Sequence, residues 1–384
     1  MEKLFTHIQN LWEEDARYRE LHSKEDLLRI KDLLYSNKYA FRPMYRYWIP
    51  KSGGRLRPIT QPDPSDLLLL SSLFRFLRDH FEPKFYCSSH GFRPKRGYIS
   101  FFNEMRSWSS LVMLQKSDVV SCFDNIPHNL LLTQLRSCLD AENEQVISLI
   151  ESFLRTPILD KEGVNYASSS LGIPQGSPIS PVLMNIYLHS LDARMDKLIA
   201  EGLLLYVRYA DDIILGFQNI ANIPRLTRVF AGTLKNLGLQ VKSEKIRHQE
   251  KRRSSAMRVL GMICCITPNG QISARAPFEK WEKKLSVARI KDKMEETDAP
   301  KTLAIFFLFM LSIIKPYLYF FFGCRCAQTD RKIYSFFQSL LRRRSLEFLR
   351  GYNPSDGKAY RTLLAQYERK LLSRVVKTRK RMRK

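Results

Sequence analysis

Asp211 and Asp212 stand next to each other in LYVRYADDIILGF, residues 205–217, between two apolar, β-rich runs. Two acids held that close in an apolar setting repel unless cations bind. A two-metal phosphoryl-transfer site needs this arrangement: two Mg2+ ions roughly 3.5–4 Å apart activate an attacking 3′-oxygen and stabilise a departing pyrophosphate. Phosphate oxygens and water complete the octahedron of such an ion. Taken alone, the pair also fits an acidic hairpin turn. A third carboxylate, Asp118 in LVMLQKSDVVSCFDNIPH, residues 111–128, ends another β-rich stretch and can project from a neighbouring strand. Phe123 follows after the strand has turned. An aromatic there can lie beneath the sugar of an incoming nucleotide and exclude a 2′-hydroxyl by contact, or it can be a core residue. In SSSLGIPQGSPISPVLMNIYLHSLD, residues 168–192, Gly172, Pro174, Gln175 and Gly176 make a turn before a helix with Pro181 at its first position. Glycines in that turn let main chain approach a nucleotide and template base closely. The Gln175 amide can both donate and accept.

The elements that must position these groups are read from periodicity. Residues 1–40 read as helical, with Ser23 three residues before Asp26 as a helix start. Tyr45 to Pro50 and a return arm through Leu56 and Ile59 read as a β-hairpin turned at KSGGR. Helices are expected at Asp66–Phe81, Phe101–Trp108, Asn129–Cys138, Glu142–Leu154, Pro181–Ile199 and Ile223–Leu237. Leu111 to Val120 reads as a strand that brings Asp118 to its end. Leu203 to Phe217 reads as two strands around Ala210-Asp211-Asp212. Tyr166–Ile173 reads as strand or turn, Gln240 begins a short strand, and Met257–Ile266 is one arm of a hairpin. Beyond about residue 275 the text becomes helical and basic. This β-α-β-β-α-β order predicts an α+β domain with helices on one face of an antiparallel sheet.

Composition narrows the partner. Lys plus Arg number 63 against 38 Asp plus Glu, a formal net charge of +25. That points to an anionic polymer, nucleic acid first and an anionic membrane surface second. With 384 residues and 44% hydrophobic content the chain can bury a large core in two or three domains. The seven cysteines show no zinc-ligand spacing and read as reduced thiols. The start, MEKLFTHIQNLWEED, has no apolar signal stretch and is too acidic for an import presequence. The expectation is a protein made where it works, in a bacterial-type cytoplasm or inside an organelle that encodes it. Leu303 to Ile314 is apolar but only twelve residues long, and Lys315-Pro316 interrupts it. A bilayer span needs roughly 20 residues, so a buried helix and no membrane span are expected.

Asp118 with Phe123 and Asp124, then GIPQGSPISP, YADD, LGLQVKSEKIR and VLGM resemble the ordered motifs of the reverse transcriptase palm. IPKSGGRLRPI at 49–59 and SSHGFRPKRG at 88–97 resemble the finger motifs of its group II intron-encoded branch. The resemblance covers roughly residues 40–265. It implies a right-hand polymerase fold: a helical extension over 1–40, fingers over 41–110, a palm over 111–270, a helical thumb or reduced maturase-like region over 275–350, and a basic tail over 351–384. It implies an RNA-directed DNA polymerase in which Asp118 and Asp211 bind two Mg2+ ions, with Asp212 supporting. Lys51, Arg57 and Arg93 would hold the triphosphate, Phe123 would gate the sugar, and Gln175 and Gly176 would line the nucleotide. Lys245 would protonate the pyrophosphate, or face phosphate or solvent. Leu260 and Gly261 would grip the primer. The implied partners are an RNA template, a DNA primer and dNTPs, with a group II intron RNA as a further candidate. The implied origin is organellar, mitochondrion ahead of chloroplast, or bacterial. Val119-Val120-Ser121-Cys122 departs from the branch, which usually carries Lys or Arg and Gly after the first aspartate. Two other readings stay open: an RNA-binding splicing cofactor (maturase) that uses the polymerase fold as scaffold, and an RNA-dependent RNA polymerase, which Phe123 opposes.

Overall fold

A computed structural model gives the fold. It describes residues 1–50, 56–160, 165–166, 170–242, 247–250 and 256–275, with isolated helical positions between 335 and 373. In chain order the elements are α1 Glu2–Glu14, α2 Ala16–Leu21, α3 Lys24–Tyr35, β1 Met44–Pro50, β2 Leu56–Gln61, α4 Leu67–Phe81, α5 Tyr98–Ser107 and β3 Met113–Asp118. Then follow α6 Cys122–Asn125, α7 His128–Cys138, α8 Glu144–Leu154, β4 Ile158–Leu159, β5 Asn165–Tyr166 and α9 Ser180–Ala200. The last described elements are β6 Leu205–Tyr209, β7 Asp212–Phe217, α10 Ile223–Asn236, β8 Arg247–Glu250, β9 Met257–Val259, β10 Met262–Ile266 and β11 Ile272–Arg275.

The chain divides into two compact units, residues 1–97 with 115–248 and residues 98–114 with 249–384. In the first unit, one sheet has the order β6-β7-β3-β8 and another β2-β1-β4-β5. Helix α9 is the centre of the unit. It is apolar nearly all round, and Val182 to Leu188 are all buried, as expected of a helix surrounded by protein. It packs against β6, α4, α7 and α10. Around it the helices are amphipathic: α10 buries Leu226, Phe230 and Leu234, a four-residue spacing that keeps one stripe inward. The N-terminal region is three helices. Asp15 is extended and its side chain accepts from Arg17 N–H, restarting the chain as α2. Ser23 and Asp26 form the reciprocal capping box that starts α3.

In the second unit, β9, β10 and β11 form one antiparallel sheet, and α5 packs on β11. Residues 257–266 are both arms of a hairpin and not one. Leu260 and Gly261 have φ of 44° and 88°, and positive φ at both central positions is the mark of a two-residue type I′ turn. No described helix is long and apolar enough to cross a membrane. The stretch 303–314 and nearly all of the expected thumb over 275–350 and of the tail lie outside the described residues.

Candidate active site

Strand β3 is the second neighbour of β6 through β7, so the end of β3 and the β6–β7 turn share one edge of the sheet. Asp118 closes β3, and Asp211 lies in the turn between Tyr209 and Asp212, which pair directly. Val119 N–H donates to the Asp211 carbonyl at 3.5 Å, joining the two segments just past the strand ends. The Asp118 side chain is only 7% exposed, with Lys242 Nζ 3.9 Å from its Oδ2. Lys242 also donates its N–H to the Asp118 carbonyl at 2.9 Å. Burial raises the Asp211 carboxyl above its ordinary range, and the charges of Asp118 and Asp212 push it the same way. Burial and then the Asp211 charge also push the Cys122 thiol up to about 12.

The three acids are not equivalent. Lys116 Nζ lies 2.6 Å from Asp212 Oδ1. Among the described residues, no three His, Cys, Asp or Glu side chains are arranged as a ligand set. Asp118 and Asp211 do fit a hard divalent cation. They supply oxygen donors, and Asp211 is destabilised in its charged form by burial and then by its acidic neighbours, a cost that a cation relieves. Asp212, as placed, already faces the Lys116 ammonium.

The turn is held from behind by Arg208, a residue the sequence reading passed over. Arg208 on β6 is fully buried. Its guanidinium reaches Asp192 of α9 at 2.5 and 2.8 Å, Asn185 Oδ1 at 3.0 Å, Ser89 Oγ at 2.8 Å and the Ala210 carbonyl at 3.2 Å. Residues 88–90 run beside β6, with Arg208 N–H donating to Ser88 and His90 N–H donating to the Arg208 carbonyl. Gly91 presses on the turn: a Cβ there would lie 2.5 Å from Ala210 N. Ala210 itself has φ of 56°, a left-handed conformation that costs a residue with a Cβ about 1–2 kcal/mol. Strain of this kind persists only where surroundings over-determine it. A signal was present in the sequence, because a charged residue inside a strand of apolar neighbours must find a buried partner.

The GIPQG segment packs on α6. Ile173 N–H donates to the Phe123 carbonyl at 2.7 Å, and Gln175 Nε2 donates to Asp124 Oδ1 at 3.0 Å. Thr60 N–H of β2 donates to the Gln175 carbonyl at 2.6 Å. Gly176 has φ of 128°, and a Cβ there would lie 2.8 Å from the Thr60 carbonyl. So Phe123, Gln175, Gly176 and the β2 strand that carries exposed Arg57 form one connected group. Phe123 is half-buried. Arg93 departs from its expected role. Its side chain is 4% exposed, forks onto Glu82 and caps the Tyr86 and Ser89 carbonyls, so it braces the 82–93 loop and does not present a guanidinium to a triphosphate. Lys51 and Lys245 lie outside the described residues. Leu260 and Gly261 form the β9–β10 turn of the second unit.

Residues 49–264 match the family described as reverse transcriptase (RNA-dependent DNA polymerase). The putative COX1/OXI3 intron 2 protein of Saccharomyces cerevisiae is 28% identical over 61% of the chain and 33% of its own length. An uncharacterized 91 kDa protein in a cob intron of Schizosaccharomyces pombe is 35% identical over 45% of the chain and 21% of its own length. The group II intron-encoded protein LtrA of Lactococcus lactis is 33% identical over 44% of the chain and 28% of its own length. The chain thus spans about a third or less of these relatives. Among solved structures, Candida tropicalis telomerase superposes with a TM-score of 0.53 at 14% identity, covering 91% of this chain and 67% of that one. Candida albicans telomerase, solved with a fragment of telomeric RNA, gives 0.51 at 13% identity, covering 88% and 63%. These likenesses show an α+β right-hand polymerase fold. With more than half of its residues in the family match, and with intron-encoded proteins as relatives, the chain belongs to the reverse transcriptase family, with its kinship on the group II intron-encoded side.

Proposed function

We propose that the protein is an RNA-directed DNA polymerase that extends a DNA primer on an RNA template with dNTPs by two-metal-ion nucleotidyl transfer. The observation that carries this reading is the meeting of Asp118 and Asp211 at one sheet edge, with Asp211 made costly to ionise by burial first and then by its acidic neighbours. Mg2+ ions bound by these two carboxylates would activate the primer 3′-oxygen and neutralise the departing pyrophosphate. The remaining chemistry belongs to the chain. Arg57, exposed on β2, offers a fixed fork to phosphate oxygens, with Lys51 six residues before it as a second cation. Phe123 lies under the sugar and excludes a 2′-hydroxyl. Gln175 and Gly176 present main chain and an amide to the nucleotide. Lys245 supplies a proton to pyrophosphate, and Leu260-Gly261 supports the primer. In this reading residues 1–40 are an extension, 41–110 fingers, 111–270 palm, 275–350 thumb or reduced maturase-like region, and 351–384 a basic tail.

The test is Mg2+-dependent dNTP incorporation by purified protein on a primed RNA template. Asp211→Asn should reduce it by about a thousandfold or more, the scale of removing a group the transition state depends on. Phe123→Ala should admit ribonucleotides. No incorporation on any primed template would overturn the assignment. A second activity, binding and folding of a group II intron RNA, is supported by the intron-encoded relatives and the net charge of +25. It predicts that Asp211→Asn spares splicing while charge reversal at Arg342, Arg343 and Arg344 impairs it. The same relatives support an organelle-encoded or bacterial origin, and we favour the mitochondrion.

A further inference from the structure

Lys116 occupies a position that the polymerase reading does not use. In a strand, residues two apart project from the same face, so Lys116 shares a face of β3 with Asp118. The adjacent strand, β7, begins with Asp212, and the Lys116 ammonium lies 2.6 Å from its carboxylate. The pair is enclosed, the lysine side chain 19% exposed and the aspartate 26%. The second cation here, Lys242, stands 3.9 Å from Asp118 and is 34% exposed. The tighter contact and the better-covered lysine therefore go to Asp212, while Asp118 is the better-covered acid.

Charge counting gives the consequence. Asp118, Asp211 and Asp212 carry three negative charges when ionised, and two of these face lysines. Asp211 faces the other two acids, eased by its own backbone N–H and then by Lys242. With Oδ1 of Asp212 held 2.6 Å from an ammonium, an electrostatic contact without an aligned hydrogen bond, only Oδ2 is left for an ion, and the ammonium repels an ion arriving there.

We propose that Lys116 is a positioning residue that holds Asp212 out of ion coordination, so that divalent binding by the free protein rests on Asp118 and Asp211. This inference rests on the polymerase reading of those two carboxylates. Lys116 is a built-in counter-cation: it replaces part of the charge an ion would bring and weakens ion binding in the absence of nucleotide.

The experiment is a Mn2+ titration followed by electron paramagnetic resonance, on the full chain without nucleic acid or nucleotide. Asp211→Asn should abolish the high-affinity signal. Lys116→Met should tighten Mn2+ binding by about tenfold, the effect of removing one unit charge beside a divalent ion at a half-covered site. Combining Lys116→Met with Asp212→Asn should return the affinity to that of the unmodified protein, because the gain needs the released carboxylate. Lys116→Arg should keep the unmodified affinity. Lys116→Gln serves as the second neutral variant if Lys116→Met fails to fold. Unchanged or weaker binding in the neutral variants, or a gain that survives Asp212→Asn, overturns the role of Lys116 and leaves the polymerase reading standing. Absence of any binding sensitive to Asp211→Asn overturns both.

Discussion

Asp211 is a residue kept at the expense of stability. Its carboxyl is raised by burial first and by Asp118 and Asp212 next, so folding disfavours its charged form. The linkage has a definite sign. Below the unfolded carboxylate pKa, about 3.9, the group is protonated in both states and carries no penalty. The penalty grows as pH rises through that value and is complete above the raised folded value. Asp211→Asn should therefore raise the thermal midpoint at neutral pH, with the gain fading as pH falls below about 4. Melting curves of both proteins across pH check this, and a variant less stable at neutral pH would contradict it. Loss of activity with gain of stability marks a functional group better than either alone. At this scale the sequence was informative where chemistry shows in a residue's type and neighbours, as for Asp118, Asp211 and the GIPQG turn. It was silent on Arg93, because a buried brace and a phosphate ligand are written with the same letter.

The β6–β7 turn depends on the loop at 88–91, distant in the chain, on helix α9 and on the strand β6 that leads into it. Arg208 ties all three together, and Asn185 Nδ2 donates to the Gly91 carbonyl at 2.8 Å. Gly91→Ala would put a methyl group 2.5 Å from backbone N of Ala210. Backbone cannot yield as a flexible side chain does, so the turn must shift. A shift of about 1 Å at reacting groups is enough for a hundredfold loss. Gly91→Ala should therefore lower dNTP incorporation by about a hundredfold, with destabilisation of about 1–3 kcal/mol from overpacking. Incorporation assays beside denaturant unfolding check it; normal activity would show that the loop does not set the turn. Helix and strand positions were largely legible from periodicity, since α4, α7, α9 and α10 carry clear apolar stripes or runs. The breaks at Asp15 and at Leu260-Gly261 were not. Capping and positive φ are decided by a few local hydrogen bonds that leave little trace in hydrophobic pattern.

At the scale of the whole molecule, a net charge of +25 dominates. A basic surface that tracks phosphates binds by releasing counterions, so affinity falls steeply with salt and carries little sequence preference. RNA affinity should fall on the order of a thousandfold between about 50 and about 200 mM monovalent salt, as for six or more phosphate contacts. Fluorescence anisotropy with two unrelated RNAs of equal length checks this. A flat salt profile would show that the charge serves something else.

The joint between β2 and the GIPQG segment has one more consequence. Thr60 and Gln175 meet through main chain, and Gly176 allows that meeting only because it carries no side chain. The separation of β2 from the GIPQG turn is thereby set by peptide groups, whose dimensions do not vary from residue to residue. Neighbouring side chains can drift over generations without changing the fit, while a single methyl group at 176 would wedge the hairpin and the turn apart.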